Sequence, residues 1–161
     1  MVTALTVAET VADPELPVLT LADLGVLRDV STVDGRVRVS ITPTYSGCPA
    51  LAAMRDDLLN ALHGAGYDDV EVRTVLQPPW STDWISAAGR HKLAAAGIAP
   101  PGTAPSRNGG PVPLGMPTRS VRCPQCGSAD TEEISHFSGT ACKALRRCRS
   151  CREPFEHMKE I

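Results

Sequence analysis

Four cysteines near the C-terminus form the pattern in this sequence that is best suited to chemistry. They occur as two Cys-x-x-Cys pairs, Cys123 with Cys126 and Cys148 with Cys151, separated by 21 residues. A tight turn after the first cysteine of a pair points both thiolates at one ion, and two such pairs complete a tetrahedron of soft ligands. The spacing therefore predicts a four-cysteine metal site, and zinc suits that geometry.

Other occupants of the same four thiolates stay open. Iron in a rubredoxin-like site or a labile iron–sulfur cluster uses this ligand set, whereas two disulfides would need an oxidising compartment. Cys142, six residues before Cys148, is a small buried residue, a spare ligand or a redox thiol, and we favour the buried residue. His136 and His157 lack ligand spacing and are predicted to be surface residues.

Cys48 is a second candidate, far from the others in the chain. It precedes Pro49 and a helical pattern, and proline is favoured at the first helical position. Cys48 is thus predicted to be the N-cap, where unpaired amides and the helix dipole favour a thiolate that attacks or binds a soft metal. The alternative is a small buried residue. Asp13 and Glu15 are polar residues of a short turn that folding could bring near.

The elements that must position Cys48 read as a compact α+β unit over residues 1–99. Asp34-Gly35 suits the positive φ angles of a tight hairpin turn, and Val37, Val39 and Ile41 alternate with polar residues, which is typical of a strand with one buried face. The predicted elements are a helix over 3–12, strands over 24–33 and 36–42, a helix over 49–65, a strand over 69–76, and a helix from Ser81 or Thr82 to Gly97.

The remaining chain is predicted to be a linker and a small metal-held module. Residues 100–119 contain six prolines and four glycines, a composition that opposes folding. Strands over 131–137 and 141–147 would form a hairpin that joins the two cysteine pairs, so residues 120–161 are predicted to be a zinc ribbon. Few apolar side chains are available there, so metal binding should supply most of its stability.

Composition and charge narrow the function. The chain has 161 residues, with 16 basic and 18 acidic side chains, so any polyanion binding would depend on the local basic stretch at 143–152, which we regard as a weak signal. No apolar run approaches the roughly 20 residues that span a bilayer, and the N-terminus lacks a signal pattern, so we expect a cytoplasmic protein. The sequence has no nucleophile elbow, phosphate loop, dinucleotide fingerprint or HExxH motif.

Several motifs resemble a known family. Residues 13–18 (DPELPV), 23–27 (DLGVL) and 42–49 (TPTYSGCP) resemble the small iron–sulfur assembly domain family. Residues 77–84 (QPPWSTDW), 123–128 (CPQCGS), 140–145 (TACKAL) and 151–155 (CREPF) are more narrowly similar to the PaaD family, the D subunits of bacterial phenylacetyl-CoA 1,2-epoxidases. The resemblance implies a cluster-assembly domain of helices on a three-stranded sheet, followed by the linker and the zinc ribbon.

The resemblance also implies a function in aerobic phenylacetate degradation. The chain would be a non-catalytic accessory subunit that delivers an iron–sulfur cluster or iron to a partner. The expected client is the iron–sulfur flavoprotein reductase, and other epoxidase subunits and iron–sulfur assembly proteins are further expected partners. Cys48 would contact the cluster or metal transiently, with Asp13 and Glu15 as motif residues of unspecified role, and the family-like motif raises the case for a redox or metal role of Cys142. The alternative is a docking subunit with a structural zinc and no transfer role.

Overall fold

A computed structural model describes residues 3–103 and 120–161. Contacts within the chain divide it into two compact units, Met1–Lys92 and Leu93–Ile161. The elements of the first 95 residues are α1 (Ala4–Ala8), β1 (Leu27–Val33), β2 (Arg36–Ile41), α2 (Leu51–Gly64), β3 (Val70–Thr74), a 3-10 turn (Thr82–Trp84) and α3 (Ala87–Ala95), the last of which includes the boundary.

The first unit is built on a three-stranded sheet with the order β1-β2-β3. β1 and β2 are antiparallel, and β2 and β3 are parallel because α2 connects them. The hairpin turn has positive φ at both central residues, 51° at Asp34 and 83° at Gly35, as a tight hairpin requires. The predicted α+β class and this hairpin are therefore confirmed.

The core of the first unit lies between the sheet and α2. Val37, Val39 and Ile41 project from one face of β2 and are fully buried, and the apolar stripe of α2 supplies Met54 and Leu58. Full burial of a side chain of this size contributes about 1.5–3 kcal/mol. Packing of this kind, without a metal, can hold the first unit together.

Two predicted helices differ from the observed ones. The first helix is short, α1, and the last is interrupted: the 3-10 turn ends at Ile85, whose backbone is extended. Ser81 caps only that turn, whereas the Ser86 hydroxyl accepts the Gly89 N–H at 2.9 Å and so caps α3. The predicted single helix was wrong because a second capping serine follows the first within a few residues.

The second unit is a four-stranded sheet with the order β4-β7-β6-β5. The predicted hairpin is present as β5 (Thr131–Ser135) and β6 (Lys143–Cys148), which are antiparallel. Two strands were not predicted, β7 (Pro154–Met158), antiparallel to β6, and β4 (Ile98–Ala99), parallel to β7. A small buried cluster consists of Ala99, Val121, Cys123, Cys148 and Phe155.

The pairing of β4 also bears on the boundaries drawn from the sequence. Residues 98 and 99, which the sequence assigned to the first unit, belong to the second sheet. The Gly102 N–H donates to the Glu160 carboxylate at 2.8 Å, so the start of the proline- and glycine-rich segment also contacts the second unit. Residues 104–119 of the predicted linker lie outside the described residues.

Candidate functional site

The sulfur atoms of the two Cys-x-x-Cys pairs converge on one point. All four lie within 4.8 Å of one another, with 3.7 Å between Cys123 Sγ and Cys151 Sγ and 3.6 Å between Cys126 Sγ and Cys148 Sγ. The sulfurs of a tetrahedral zinc site lie about 3.8 Å apart, because each Zn–S bond is about 2.3 Å long. The four residues fit one zinc ion, and such a closed site is structural.

The two cysteine pairs have the same backbone geometry. In each pair the N–H of the first cysteine donates to the carbonyl five residues later: Cys123 to Ser128 at 2.9 Å and Cys148 to Glu153 at 3.0 Å. Each loop is thus closed by its own backbone before any metal is considered. The short spacing Cys-x-x-Cys is sufficient to specify this turn, which explains why the sequence predicted it.

The two loops differ in the type of residue that follows the second cysteine. The residue after the second cysteine has a positive φ in both, 75° at Gly127 and 65° at Arg152. Glycine adopts this conformation freely, whereas a residue with a Cβ is disfavoured by about 1 kcal/mol or more. The second loop therefore carries backbone strain that the first does not.

The pKa values of the two thiols in the second pair are shifted in opposite directions. The N–H of Cys151 lies 3.5 Å from Cys148 Sγ and lowers the pKa of the Cys148 thiol to about 6. The pKa of Cys151 is raised to about 12: the Glu153 amide lowers it, but burial and the neighbouring sulfurs raise it by more. One thiolate thus opposes the next, and a divalent ion removes that conflict by favouring all four.

Polar contacts join the two loops around the cluster. The hydroxyls of Ser128 and Ser150, one from each loop, lie 2.8 Å apart. Glu132 on β5 forms ion pairs with Arg147 and Arg149. Hydrogen bonds from these two guanidinium groups lower the pKa of the Glu132 carboxyl, and the bond from Arg147 has the larger effect. Two more basic residues of the stretch at 143–152 are also paired, Lys143 with Glu156 and Arg146 with Glu133. The pairing leaves less free positive charge for a polyanion.

Three further candidate residues of this unit, Cys142, His136 and His157, differ in their burial. Cys142 is buried, with its Sγ 3.1 Å from Thr140 Oγ1, and its sulfur is not among the four that converge. His136 is exposed as predicted. His157 was predicted at the surface and is 4% exposed; the prediction was wrong because β7 was missed, and a two-residue period from Phe155 would have placed His157 on the buried face.

Cys48 is not the N-cap of α2. The helix begins at Leu51, its N-cap is Ala50, and no side chain caps it. Cys48 lies in a preceding turn, in which its carbonyl accepts the Leu51 N–H at 3.3 Å and its N–H donates to the Tyr45 carbonyl at 3.2 Å. The predicted N-cap position was wrong because the chain makes this extra turn before the helix, which begins two residues later than Pro49. The residue is 8% exposed, so the buried alternative describes its environment.

Asp13 holds the turn in which it lies. Its side chain is buried, and Oδ1 accepts the N–H groups of Glu15 at 2.9 Å and Leu16 at 2.7 Å. Its own N–H donates to the Leu19 carbonyl at 2.9 Å. This oxygen is therefore engaged by backbone, whereas Glu15 is half-buried and more accessible to a ligand.

Two segments that contain sequence motifs, residues 23–28 and residues 77–84, pack against each other in the structure. Trp80 Nε1 donates to the Leu24 carbonyl at 2.9 Å, and the Arg28 guanidinium lies 3.6 Å from the centre of the Trp84 ring. Gly25, with φ of 69°, lies against the Trp84 backbone, where a Cβ would approach Trp84 Cβ to 2.6 Å. The segment at 77–84 is thus fastened to the loop at 23–28.

The sequence matches two protein families over separate parts of the chain. The family described as iron–sulfur cluster assembly protein matches residues 3–74, and the family described as PaaD zinc beta ribbon domain matches residues 109–159. The four converging cysteines lie in the second match and Cys48 in the first. None of the described helices is both long and apolar enough to cross a membrane.

Individual relatives agree with these matches. An Escherichia coli (strain K12) protein, named as the putative D subunit of 1,2-phenylacetyl-CoA epoxidase, is 43% identical over 151 residues, which cover 94% of this chain and 87% of that protein. The iron–sulfur protein maturation auxiliary factor YitW of Bacillus subtilis (strain 168) is 37% identical over 92 residues, 56% of this chain and 86% of YitW. A solved structure from Bacillus anthracis, of the domain of unknown function DUF59, matches with a TM-score of 0.52 at 28% identity, over 56% of this chain and 87% of that one.

Proposed function

Because this chain belongs to the PaaD family, the D subunits of 1,2-phenylacetyl-CoA epoxidases, we propose that it is an accessory protein that delivers an iron–sulfur cluster or iron to an epoxidase component. The component that would receive the cluster is an iron–sulfur reductase. The zinc ribbon has a structural role, and the first unit carries out the transfer. A soluble, cytoplasmic setting with reduced thiols suits this chemistry.

The observation that carries the proposal is the position of Cys48. It is the single cysteine within residues 3–74, the part of the chain that matches the cluster-assembly family, and the zinc site does not need it. Relatives named as iron–sulfur protein maturation factors match 56% and 48% of the chain, which supports a function of this kind. One cysteine ligand suits temporary binding, because a complete set of four would hold the cargo too tightly.

The transfer step is a ligand exchange. As the Cys48 S–Fe bond forms, one donor thiolate leaves the iron and takes up the proton that the Cys48 thiol releases. In the client the exchange runs in reverse: a client thiolate replaces Cys48, which takes up a proton again. No electron is gained or lost in either step.

The burial of Cys48 adds a condition to this mechanism. At 8% exposure the residue leaves little room for a cluster, so its loop must move before iron can bind. Ser46 and Gly47, next to Cys48, are exposed, so the movement can start from that side of the loop. Glu15 is half-buried whereas Asp13 is buried, so Glu15 is the motif carboxylate that a ligand can reach more easily.

The test is the cluster content of the client in cells that produce Cys48→Ser. We expect iron and acid-labile sulfide per reductase chain to fall several-fold, while the folded protein accumulates normally. Ser46→Ala, in the same loop, is the matched control and should leave both contents unchanged. Cys48→Ala repeats the measurement with a smaller, apolar side chain in case serine disturbs the buried site.

Full cluster content with both Cys48 variants would overturn the transfer proposal. If the chain then still co-purified with epoxidase subunits in fixed stoichiometry, a docking function of the zinc ribbon would account for it. The exposed Phe137 at the tip of the β5–β6 hairpin, with Lys159 Nζ 4.4 Å from its ring centre, favours that second function.

A further inference from the structure

The second unit contains a cavity that the zinc site does not use. It has a volume of about 410 Å³, enough for an ion with several waters. Its polar end is formed by His157 and Glu160. The other lining residues are Pro100, Pro101, Gly102, Thr103, Ser120 and Val121.

His157 has an unusual position for an imidazole. Its side chain is 5% exposed, and its Nε2 atom is buried without a hydrogen-bond partner among the described residues. A buried polar atom of this kind destabilises the fold unless something pairs with it. Its charged neighbour is Glu160 Oε1, 3.7 Å away.

That separation is too long for a hydrogen bond and suits a metal ion. N–H···O bonds in proteins measure about 2.7–3.2 Å, so a proton on Nε2 would bridge the gap poorly. Two ligand atoms of a tetrahedral zinc ion lie about 3.4 Å apart, because Zn–N and Zn–O bonds are each about 2.0–2.2 Å long. A small movement of either side chain therefore gives metal geometry.

A backbone hydrogen bond orients the Glu160 carboxylate. Glu160 Oε1 accepts the Gly102 N–H at 2.8 Å, an outer contact of the kind that orients metal-binding carboxylates. The Glu160 side chain is 17% exposed and forms the open side of the pair. Thr103 and Ser120 also line the cavity.

We propose that His157 Nε2 and the Glu160 carboxylate bind a first-row divalent metal ion in this cavity, separately from the four-cysteine zinc. Imidazole and carboxylate ligands suit Zn²⁺, Fe²⁺ and Co²⁺. With two protein ligands and waters, the ion exchanges readily, unlike the caged zinc. The inference is independent of the proposed transfer at Cys48.

Cobalt titration of the full chain, loaded with one zinc in the ribbon, tests this site. Co²⁺ bound by nitrogen and oxygen ligands absorbs weakly in the visible, whereas thiolate ligands add intense charge-transfer bands. We expect one Co²⁺ per chain beyond the zinc, with the weak spectrum alone. Outer-shell changes already weaken metal binding about 10–100-fold, so loss of a direct ligand in His157→Ala or Glu160→Gln should weaken Co²⁺ binding at least about tenfold.

The choice of variants separates loss of the metal site from loss of the fold. Glu160→Gln keeps an oxygen for the Gly102 N–H and should retain both the fold and the ribbon zinc. His136→Ala removes an exposed histidine that also has a carboxylate neighbour, Glu133 at 3.3 Å, and should bind Co²⁺ like the unmodified chain. The absence of a second ion, thiolate bands only, or equal affinity in Glu160→Gln and the unmodified chain would each overturn the proposal.

Discussion

The four-cysteine cluster and the Cys48 loop differ in what determines the surroundings of their sulfur atoms. In the cluster, each loop is closed by its own backbone bond, from Cys123 to Ser128 and from Cys148 to Glu153. The turn of Cys48 also has backbone bonds of its own, at 3.2 and 3.3 Å, but it holds one cysteine and connects β2 to α2. A ligand set encoded in a short repeat is specified locally, whereas a lone thiol takes its environment from the whole unit.

The two units differ in the same way in what holds them together. The first has a wide apolar core, with β2 and α2 side chains fully buried. The second also buries apolar side chains such as Ala144 and Met158, but the core cluster around its metal site has five residues, of which two are the ligands Cys123 and Cys148. Removing metal should therefore affect one unit and removing packing the other.

The largest effect should come from breaking the cluster with Cys126→Ala. Zinc binding to small domains supplies about 10–16 kcal/mol of apparent free energy, and three thiolates hold zinc less well than four. We expect zinc content to fall from one per chain to near zero and the second unit to unfold. Both tryptophans, Trp80 and Trp84, lie in the first unit, so their fluorescence should still show a folded first unit.

Cys142→Ser is the matched control for that experiment. Cys142 is as buried as Cys123 and Cys148, but its sulfur is outside the cluster. The zinc content should stay at one per chain. Loss of zinc in this variant, or its retention in Cys126→Ala, would contradict the assignment of ligands.

A smaller effect is expected from Gly25→Ala in the first unit. The new Cβ would lie 2.6 Å from Trp84 Cβ and 2.7 Å from the Trp84 carbonyl oxygen, at a φ of 69°. Overpacking and backbone strain together should lower the free energy of unfolding by about 2–4 kcal/mol. Denaturant titration followed by tryptophan fluorescence measures this loss, and zinc content should not change.

Gly35→Ala separates the two causes. Its φ is 83°, but no atom lies within 4 Å of the added Cβ, so only the backbone contributes, about 1–2 kcal/mol. Equal losses in the two variants would show that the Trp84 contact does not matter.

The smallest effect compares the two zinc loops directly. Arg152→Gly removes the strain of a φ of 65° and should strengthen zinc binding by about 1 kcal/mol, roughly fivefold in Kd. Gly127→Ala introduces the same strain in the other loop and should weaken binding by a similar factor. Competition with a chelator measures both, and opposite signs are required.

Sequence patterns predicted the parts of this molecule that are specified over a few residues. The four ligands, the Asp34-Gly35 hairpin, the β5–β6 hairpin and the α+β class all follow from short-range spacing, and the structure agrees with each. The two-residue β4 is too short to give a period, and β7 was overlooked beside the cysteines, although Phe155 and His157 carried its signal.

Tertiary packing decided the rest. α2 begins at Leu51, so that Ala50 and not Cys48 is its N-cap, although Pro49 is a good first helical residue. The contact between the motifs at 23–28 and 77–84 joins residues more than fifty positions apart, and no local pattern indicates it.

The pairing of Ile98–Ala99 with β7 has a consequence for anyone dividing this protein into pieces. The ribbon is assembled from two stretches of chain, so a fragment cut out at residue 120 would bear all four zinc ligands and yet leave one edge of its sheet without a neighbour. Bare edges of this kind recruit other chains and promote aggregation. A soluble minimal ribbon should therefore start upstream of Ile98, or be restored by a separate peptide that carries the missing strand.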